Sequence, residues 1–333
     1  MDLSIGRIIF ASRNSYTVLT KENKEYFSVI TGSFMRESDT MPAVGDYVVF
    51  SPNNDGDSKI VEILPRDSVL SRKKTGKEFK EHVLAANADY LFIINAMDST
   101  FSKRRIERFL VLAGAGGVQP VIILSKADAC SPVDMAVYLI EAEEVAGGAE
   151  VIEVSSVTGM GIPRLEELLQ ENKTAVVAGL SGAGKSTLVN RLAGYDVRKT
   201  AQVRAFDDKG RHCTTDRHMF RTLSGAMIID TPGIREVGMS GDVEAVEDVF
   251  TEIADYAEGC FFADCTHTHE PSCAVRKAVE EGGIKPERYE SYLKLRAESE
   301  NYRMRTEAPE EVKRAGKRLS KLVRSVNKQK KRF

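Results

Sequence analysis

The run Gly179-Leu180-Ser181-Gly182-Ala183-Gly184-Lys185-Ser186-Thr187 fits G-x-x-x-x-G-K-[ST] at every position, and it constrains the fold more than any other stretch. Thr174-Ala175-Val176-Val177-Ala178 ahead of it is apolar, as a buried strand is, and residues 187–192 behind it have helical character. In a strand–loop–helix of this kind, backbone N–H groups curl around phosphate oxygens with the positive end of a helix behind them. Lys185 then reaches the β- and γ-phosphates, and the Ser186 hydroxyl ligates Mg2+. Such a loop hangs from a parallel sheet, and the chain supplies the strands. Residues 90–95, 121–124, 150–154 and 226–230 are short apolar runs, separated by helical patterns such as 104–112 and 163–169. The alternation predicts an α/β, doubly wound parallel sheet.

Asp230-Thr231-Pro232-Gly233 is a D-x-x-G closing the strand 226–230. Its carboxylate would hold Mg2+ through a water, and the Gly233 N–H would sense the γ-phosphate. Between the two motifs lies Lys209-Gly210-Arg211-His212-Cys213-Thr214-Thr215, where a switch I threonine supplies a second hydroxyl to Mg2+. Thr214 is the choice and Thr215 the alternative. A Gln that orients the attacking water is absent after D-x-x-G; Ile234 stands there and can neither donate nor accept. Unaided turnover should therefore be slow. His212 is the candidate catalytic group in cis, with contact to a partner as its other reading.

Ser125-Lys126-Ala127-Asp128 stands where N-K-x-D reads a guanine. An ionised Asp128 only accepts, so it can take both N1–H and N2–H of guanine, a donor pair that adenine lacks. That argues for GTP over ATP on the same loop. The Lys126 stem can cover the base plane. Ser125 replaces the usual Asn, and a shorter hydroxyl predicts weaker hold on the base. Ser155-Ser156-Val157 resembles S-A-[KL], whose backbone meets guanine O6. Both base motifs precede the phosphate loop, so the order is base, base, phosphate, switch I, switch II. A circular permutation can give that order with the sheet nearly unchanged, because the termini of such domains often lie close together.

Residues 1–70 read as five short strands with turns at 31–33, 42–45 and 53–57, which suits a small barrel such as an OB-fold. Strand spacing does not separate that from other small β-barrels. A basic connector, Arg72-Lys73-Lys74-Thr75-Gly76-Lys77, follows, and His82 is expected on a polar helix. Domain limits are read as 1–70 for the barrel, 71–240 for the phosphate-binding domain and 241–333 for a C-terminal module. In that module Val243, Val246, Val249, Phe250 and Ile253 share a helical face. The spacing C-x4-C-x-H-x5-C then places Cys260, Cys265, His267 and Cys273 as ligands of one tetrahedral, structural Zn2+, with a disulfide as the competing reading. His269 is a spare, and Cys130 and Cys213 are given no metal role. Residues 313–333 hold ten Lys or Arg and no acid; removing those charges from the net −2 leaves the other 312 residues at −12. A basic end on an acidic body suits a polyanionic partner, or a solvated helix face or tail. Neither an apolar run long enough for a bilayer nor a signal peptide is seen, which points to the cytoplasm.

Taken together, these motifs resemble the RsgA/YjeQ family of circularly permuted bacterial GTPases over nearly the whole chain. Pro42-Ala43-Val44-Gly45-Asp46 and Cys265-Thr266-His267-Thr268-His269-Glu270-Pro271 are particularly like it. The resemblance implies a GTPase that binds the small (30S) ribosomal subunit and its 16S rRNA, acts late in its maturation, works as a monomer, and hydrolyses GTP faster when bound there. The other reading is an rRNA-binding assembly module whose nucleotide site is a slow switch. Ser125 for Asn and Cys213 for the usual Thr are the departures from the family pattern.

Overall fold

The computed structural model describes residues 3–12, 15–37, 40–73, 81–197, 217–230 and 242–307. The described residues fall into two compact units, one within 1–72 and 82–237 and one within 73–81 and 238–333.

The first unit opens with β1 (Ser4–Ala11), β2 (Ser15–Leu19), β3 (Glu25–Ile30), a short α1 (Gly32–Glu37), β4 (Tyr47–Ser51) and β5 (Ser58–Ile63). β2 lies between β1 and β3, β3 pairs with β5 in parallel, and β4 joins β5 back to β1. This closes a five-stranded barrel. Alternate residues turn inward, so Ile8, Val18, Val48, Phe50 and Ile60 are fully buried. The 42–46 turn is built on a buried carboxylate: Asp46 accepts from the Ala43 N–H at 2.8 Å and from Arg66 at 2.7 Å. Gly45 sits at φ +96°, and a Cβ there would strike the Ala86 carbonyl.

β6 (Val69–Lys73) and β7 (Glu81–Ala86) pair with each other. His82 is therefore on a strand, not the helix expected, and its ring lies 3.1 Å from the Arg217 guanidinium. The strand signal was hidden because Leu84, Ala85 and Ala86 are all buried, so β7 shows no alternation.

The α/β part follows as β8 (Tyr90–Ala96), α2 (Lys103–Gly116), β9 (Gln119–Ser125), α3 (Pro132–Glu143), β10 (Glu150–Val154), α4 (Ile162–Leu168), β11 (Thr174–Gly179), α5 (Lys185–Ala193), β12 (Arg217–Arg221) and β13 (Met227–Asp230). The strand order is β10-β9-β8-β11-β13-β12, parallel except for β12. Phe92, Ile94, Val121, Ile123 and Val177 pack with α4 and α5 on one face. Leu91, Ile93, Ile122 and Leu124 are buried on the other, where α2 packs on β8 and β9. Burial on both faces explains the unbroken apolar runs. β12 was not legible, since Arg-His-Met-Phe-Arg has no strong strand signature. Its start pairs with the end of β1, so the barrel and the parallel strands share one sheet. Arg7 adds a polar tie: its guanidinium donates to the carbonyls of Gly45 and Asn87 and to Thr174 Oγ1 at the foot of β11.

In the second unit α6 (Glu244–Val249), α7 (Thr251–Ala257), α8 (Ala274–Glu280) and α9 (Pro286–Glu307) surround a small core. Val246, Phe250 and Ile253 are fully buried, as the helical spacing predicts, but Phe250 breaks the run into two helices with φ −113° and ψ 50°. Arg288 lies 4.0 Å over the Phe250 ring and bonds Glu252 and the Val249 carbonyl. Among the described residues no helix is long and apolar enough to cross a membrane.

Candidate nucleotide site and metal cluster

The motif-bearing strands end along one edge of the sheet. Register sets Ser125 of β9 beside Ala96 of β8, Gly179 of β11 beside Ile94 of β8, and Asp230 of β13 beside Val177 of β11. The segments expected to read the base and to bind the phosphates therefore end side by side, although their chain order is reversed. A hydrogen bond joins them: the buried Ser125 Oγ donates to the Ala183 carbonyl at 2.7 Å. The hydroxyl that replaces Asn thus reaches the phosphate loop. Ser125→Ala would leave a buried acceptor unpaired, at a cost of about 1–3 kcal/mol. We expect a melting temperature lower by a few degrees and GDP binding about tenfold weaker, measured by thermal melting and titration calorimetry; unchanged values for both would make this bond incidental.

The loop itself turns out of β11 at Gly179, where φ is +143° and a Cβ would collide with the Ile94 carbonyl. Lys185 Nζ folds over the loop, donating to the carbonyls of Gly179 at 2.8 Å and Leu180 at 2.6 Å. Ser181 and Gly182 are exposed and Ala183 buried; Gly184 precedes α5, whose first residues are Lys185, half-buried Ser186 and exposed Thr187. Asp230 closes β13, half-buried. His212, Thr214, its alternative Thr215, and Gly233 lie outside the described residues, as do Cys213 and Ile234.

Asp128 is exposed in a single 3-10 turn, Ala127–Ala129, entered through Lys126 at φ +66°. Its Oδ1 accepts from the buried Ser155 Oγ at 2.5 Å, and Ser155 Oγ accepts in turn from the N–H groups of Val157 and Thr158. Half-buried Ser156 follows directly. Residues 125–128 and 155–158 are thereby joined by hydrogen bonds. Sequence reasoning missed Asp98, just beyond the end of β8. Lys126 Nζ donates to Asp98 Oδ2 at 2.7 Å. Hydrogen bonds from Lys126 first, and from Thr100, hold the Asp98 carboxyl down at about 2. An acid placed just past a strand on the motif-bearing edge was the available signal.

In the second unit the ligand atoms of Cys260, Cys265, His267 and Cys273 all lie within 4.8 Å of one another. His267 Nδ1 is 3.5 Å from both the Cys260 and Cys273 sulfurs, which are 3.9 Å apart. Tetrahedral Zn2+ with its usual bond lengths asks for about 3.5 Å between N and S and about 3.8 Å between sulfurs, which the Cys260, His267 and Cys273 donors match, so the cluster could hold a metal ion. A disulfide needs about 2.05 Å. Tyr289 Oη donates to the His267 carbonyl at 2.5 Å, and Glu270 accepts from the N–H groups of Thr266, Thr268 and His269, closing the loop around the cluster. His269 is exposed and outside it, and Cys130 belongs to the first unit.

The family model of the RsgA GTPases matches residues 63–240. The chain belongs to the RsgA GTPase family. A relative from Listeria monocytogenes serotype 4b, named small ribosomal subunit biogenesis GTPase RsgA 2, is 41% identical over 297 residues, covering 89% of this chain and 83% of its own. A Bacteroides thetaiotaomicron relative, small ribosomal subunit biogenesis GTPase RsgA 1, is 38% identical over 338 residues, covering 100% and 92%. Among solved structures, YjeQ from Thermotoga maritima superposes with a TM-score of 0.66 at 29% identity, covering 90% of this chain and 99% of that one. YloQ, described as a circularly permuted GTPase, gives 0.62 at 28% identity, covering 90% and 96%. The fold is accordingly that of a circularly permuted GTPase.

Proposed function

We propose that this GTPase of small ribosomal subunit biogenesis binds guanine nucleotide across the ends of β9, β11 and β13 and hydrolyses GTP to GDP and phosphate most rapidly on the small (30S) subunit. The Ser125–Ala183 hydrogen bond carries the reading, because it joins the two segments proposed here to hold the purine and the phosphates. Asp128 accepts from the guanine, positioned by Ser155; Lys126 covers the base, and the Ser156 backbone faces O6. Residues 179–187 cradle the phosphates, with Lys185 moving from the loop carbonyls to the β- and γ-phosphates. Ser186, Thr214 and Asp230 would hold Mg2+, which when bound neutralises charge developing on the γ-phosphoryl group. Water attacks in line, and His212 is the candidate to orient it. Cys260, Cys265, His267 and Cys273 would hold one structural Zn2+, a reading supported by the 3.5–3.9 Å separations among the Cys260, His267 and Cys273 donors and by Cys265 lying within 4.8 Å of them.

We assign the barrel, residues 1–70, to the OB-fold, on its closed 1-2-3-5-4 strand order. The GTPase domain is 71–240 and the zinc-binding helical module with the basic end is 241–333. The barrel and the ten basic residues of 313–333 suit 16S rRNA phosphates. We place the protein in the cytoplasm, as a monomer. Ile234 favours a second reading, a slow switch on an rRNA-binding assembly module. Co-sedimentation with purified small and large subunits in GDP, GTP and a non-hydrolysable analogue, with single-turnover hydrolysis alongside, tests both. We expect selective small-subunit binding in the analogue and hydrolysis accelerated at least tenfold, with His212→Ala losing the acceleration. Binding without acceleration would select the switch; no subunit preference would remove both.

A further inference from the structure

One cross-strand row runs from the barrel to the phosphate strand. Phe10 of β1 is opposite His218 of β12, His218 is opposite Asp230 of β13, and Asp230 is beside Val177 of β11. Directly opposed residues of an antiparallel pair project from the same face, with Cβ atoms about 4.5–5.5 Å apart. That face is fixed by the residues two positions along. Phe220 and Ile228 belong to the core cluster with Leu188 and Val189 of α5, the helix that starts at the phosphate loop. His218 and Asp230 thus project side by side toward the nucleotide face. The His218 ring also lies 4.8 Å from the Phe10 ring of the barrel and stacks on Phe220 at 5.9 Å and 17°.

We propose that His218 is a positioning residue for the Asp230 carboxylate, and that its contact with Phe10 makes the metal affinity of the nucleotide site depend on the barrel. The ring, held between two aromatic residues, would present an N–H to the neighbouring carboxylate or to a water it carries. Partners of this kind orient metal-holding groups, and their loss costs roughly 10–100-fold in metal affinity. The chain path gives the pair leverage. β12 follows the segment that contains Thr214, and β13 leads into the segment that contains Gly233. An RNA that moves β1 would shift Phe10, His218 and Asp230 together. The proposal rests on the reading above that Asp230 serves Mg2+.

The test is the release rate of a fluorescent N-methylanthraniloyl-GDP, followed over a Mg2+ titration and again in EDTA, on the full chain. His218→Phe keeps the stacking and removes the N–H. The Mg2+ concentration that half-slows release should rise about tenfold, with the EDTA rate and melting temperature unchanged. His218→Gln, which restores a donor, should stay within about threefold of wild type, and His218→Met, of similar length without a donor, should follow Phe. The Gln and Met pair decides the matter should Phe fold poorly. Phe10→Leu should shift the midpoint the same way; a wild-type midpoint there overturns the link to the barrel. Wild-type midpoints for both Phe and Met overturn the role of His218. Asp230→Asn separates the two claims: if it keeps full Mg2+ dependence, the metal reading of Asp230 is wrong, whereas loss there with no effect at His218 sinks the new inference alone.

Discussion

Asp128→Asn should cost two to four orders of magnitude in affinity for GDP and GTP and confer binding of xanthine nucleotides instead. The guanine edge offers two donors, N1–H and N2–H, and a carboxylate is the side chain that can accept both. Hydrogen bonds to a charged group are worth about 1.5–3 kcal/mol each, so losing or inverting two of them costs about 3–6 kcal/mol, or roughly 10²- to 10⁴-fold. Xanthine carries a carbonyl where guanine carries the amine. An Asn offers one acceptor for N1–H and one donor for that carbonyl, so the pairing is restored with the other base. The pocket wall should survive, because Asn keeps an oxygen for the Ser155 hydroxyl that now donates to Asp128. Asp128 is exposed, so stability should change by less than about 0.5 kcal/mol. Competition of GDP, XDP and ADP against a fluorescent nucleotide reads the result. Equal GDP affinity in wild type and variant would take Asp128 out of the base pocket.

How far residues foretold this arrangement depended on how the signal was carried. The phosphate loop was legible because glycines at fixed offsets between an apolar strand and a helix have few other uses. Gly179 takes a turn that only glycine allows, with an Ile94 carbonyl where a Cβ would stand. The strands of the parallel sheet were legible because both faces are covered, leaving runs such as Thr174–Gly179 with all six residues buried. The same burial hid β7, too short to be told from a helical turn, and sent His82 to the wrong element. β12 was hidden differently. Its pairing with β1 is non-local, its hairpin with β13 turns on residues 222–226, and nothing within Arg217–Arg221 announces either. Asp98 escaped because its partner Lys126 lies 28 residues on. The Ser125 substitution was legible as a departure, but its consequence was not: that the hydroxyl still reaches Ala183 depends on where α5 begins.

Cys273→Ala should strip the second unit of its metal and loosen its helices while leaving nucleotide binding intact. Cys273 serves twice. Its sulfur is one of four donors within 4.8 Å, and as the residue before α8 it accepts the Arg276 N–H at 3.5 Å. Alanine removes both, and the cap alone is worth about 1 kcal/mol. The metal matters more. Structural zinc sites supply an apparent 10–16 kcal/mol to folding, and a three-ligand remnant with an open position is a different site. The apolar core of the unit is small, resting on residues such as Val246, Phe250, Ile253, Val275, Tyr292 and Leu295. It has little stability of its own to replace that contribution. Metal analysis should find about one zinc per wild-type chain and well under half in the variant. Hydrogen exchange should accelerate at least tenfold over residues 260–280. The first unit has a separate core around Phe92, Val121, Val177 and Leu188, so GDP affinity should hold within about twofold. Cys130→Ala, in that first unit, controls for loss of any thiol and should retain zinc. Full zinc retention by Cys273→Ala would exclude the four-ligand assignment. Release of zinc with unchanged exchange would show that the loop and helices are held by packing instead of by the ion.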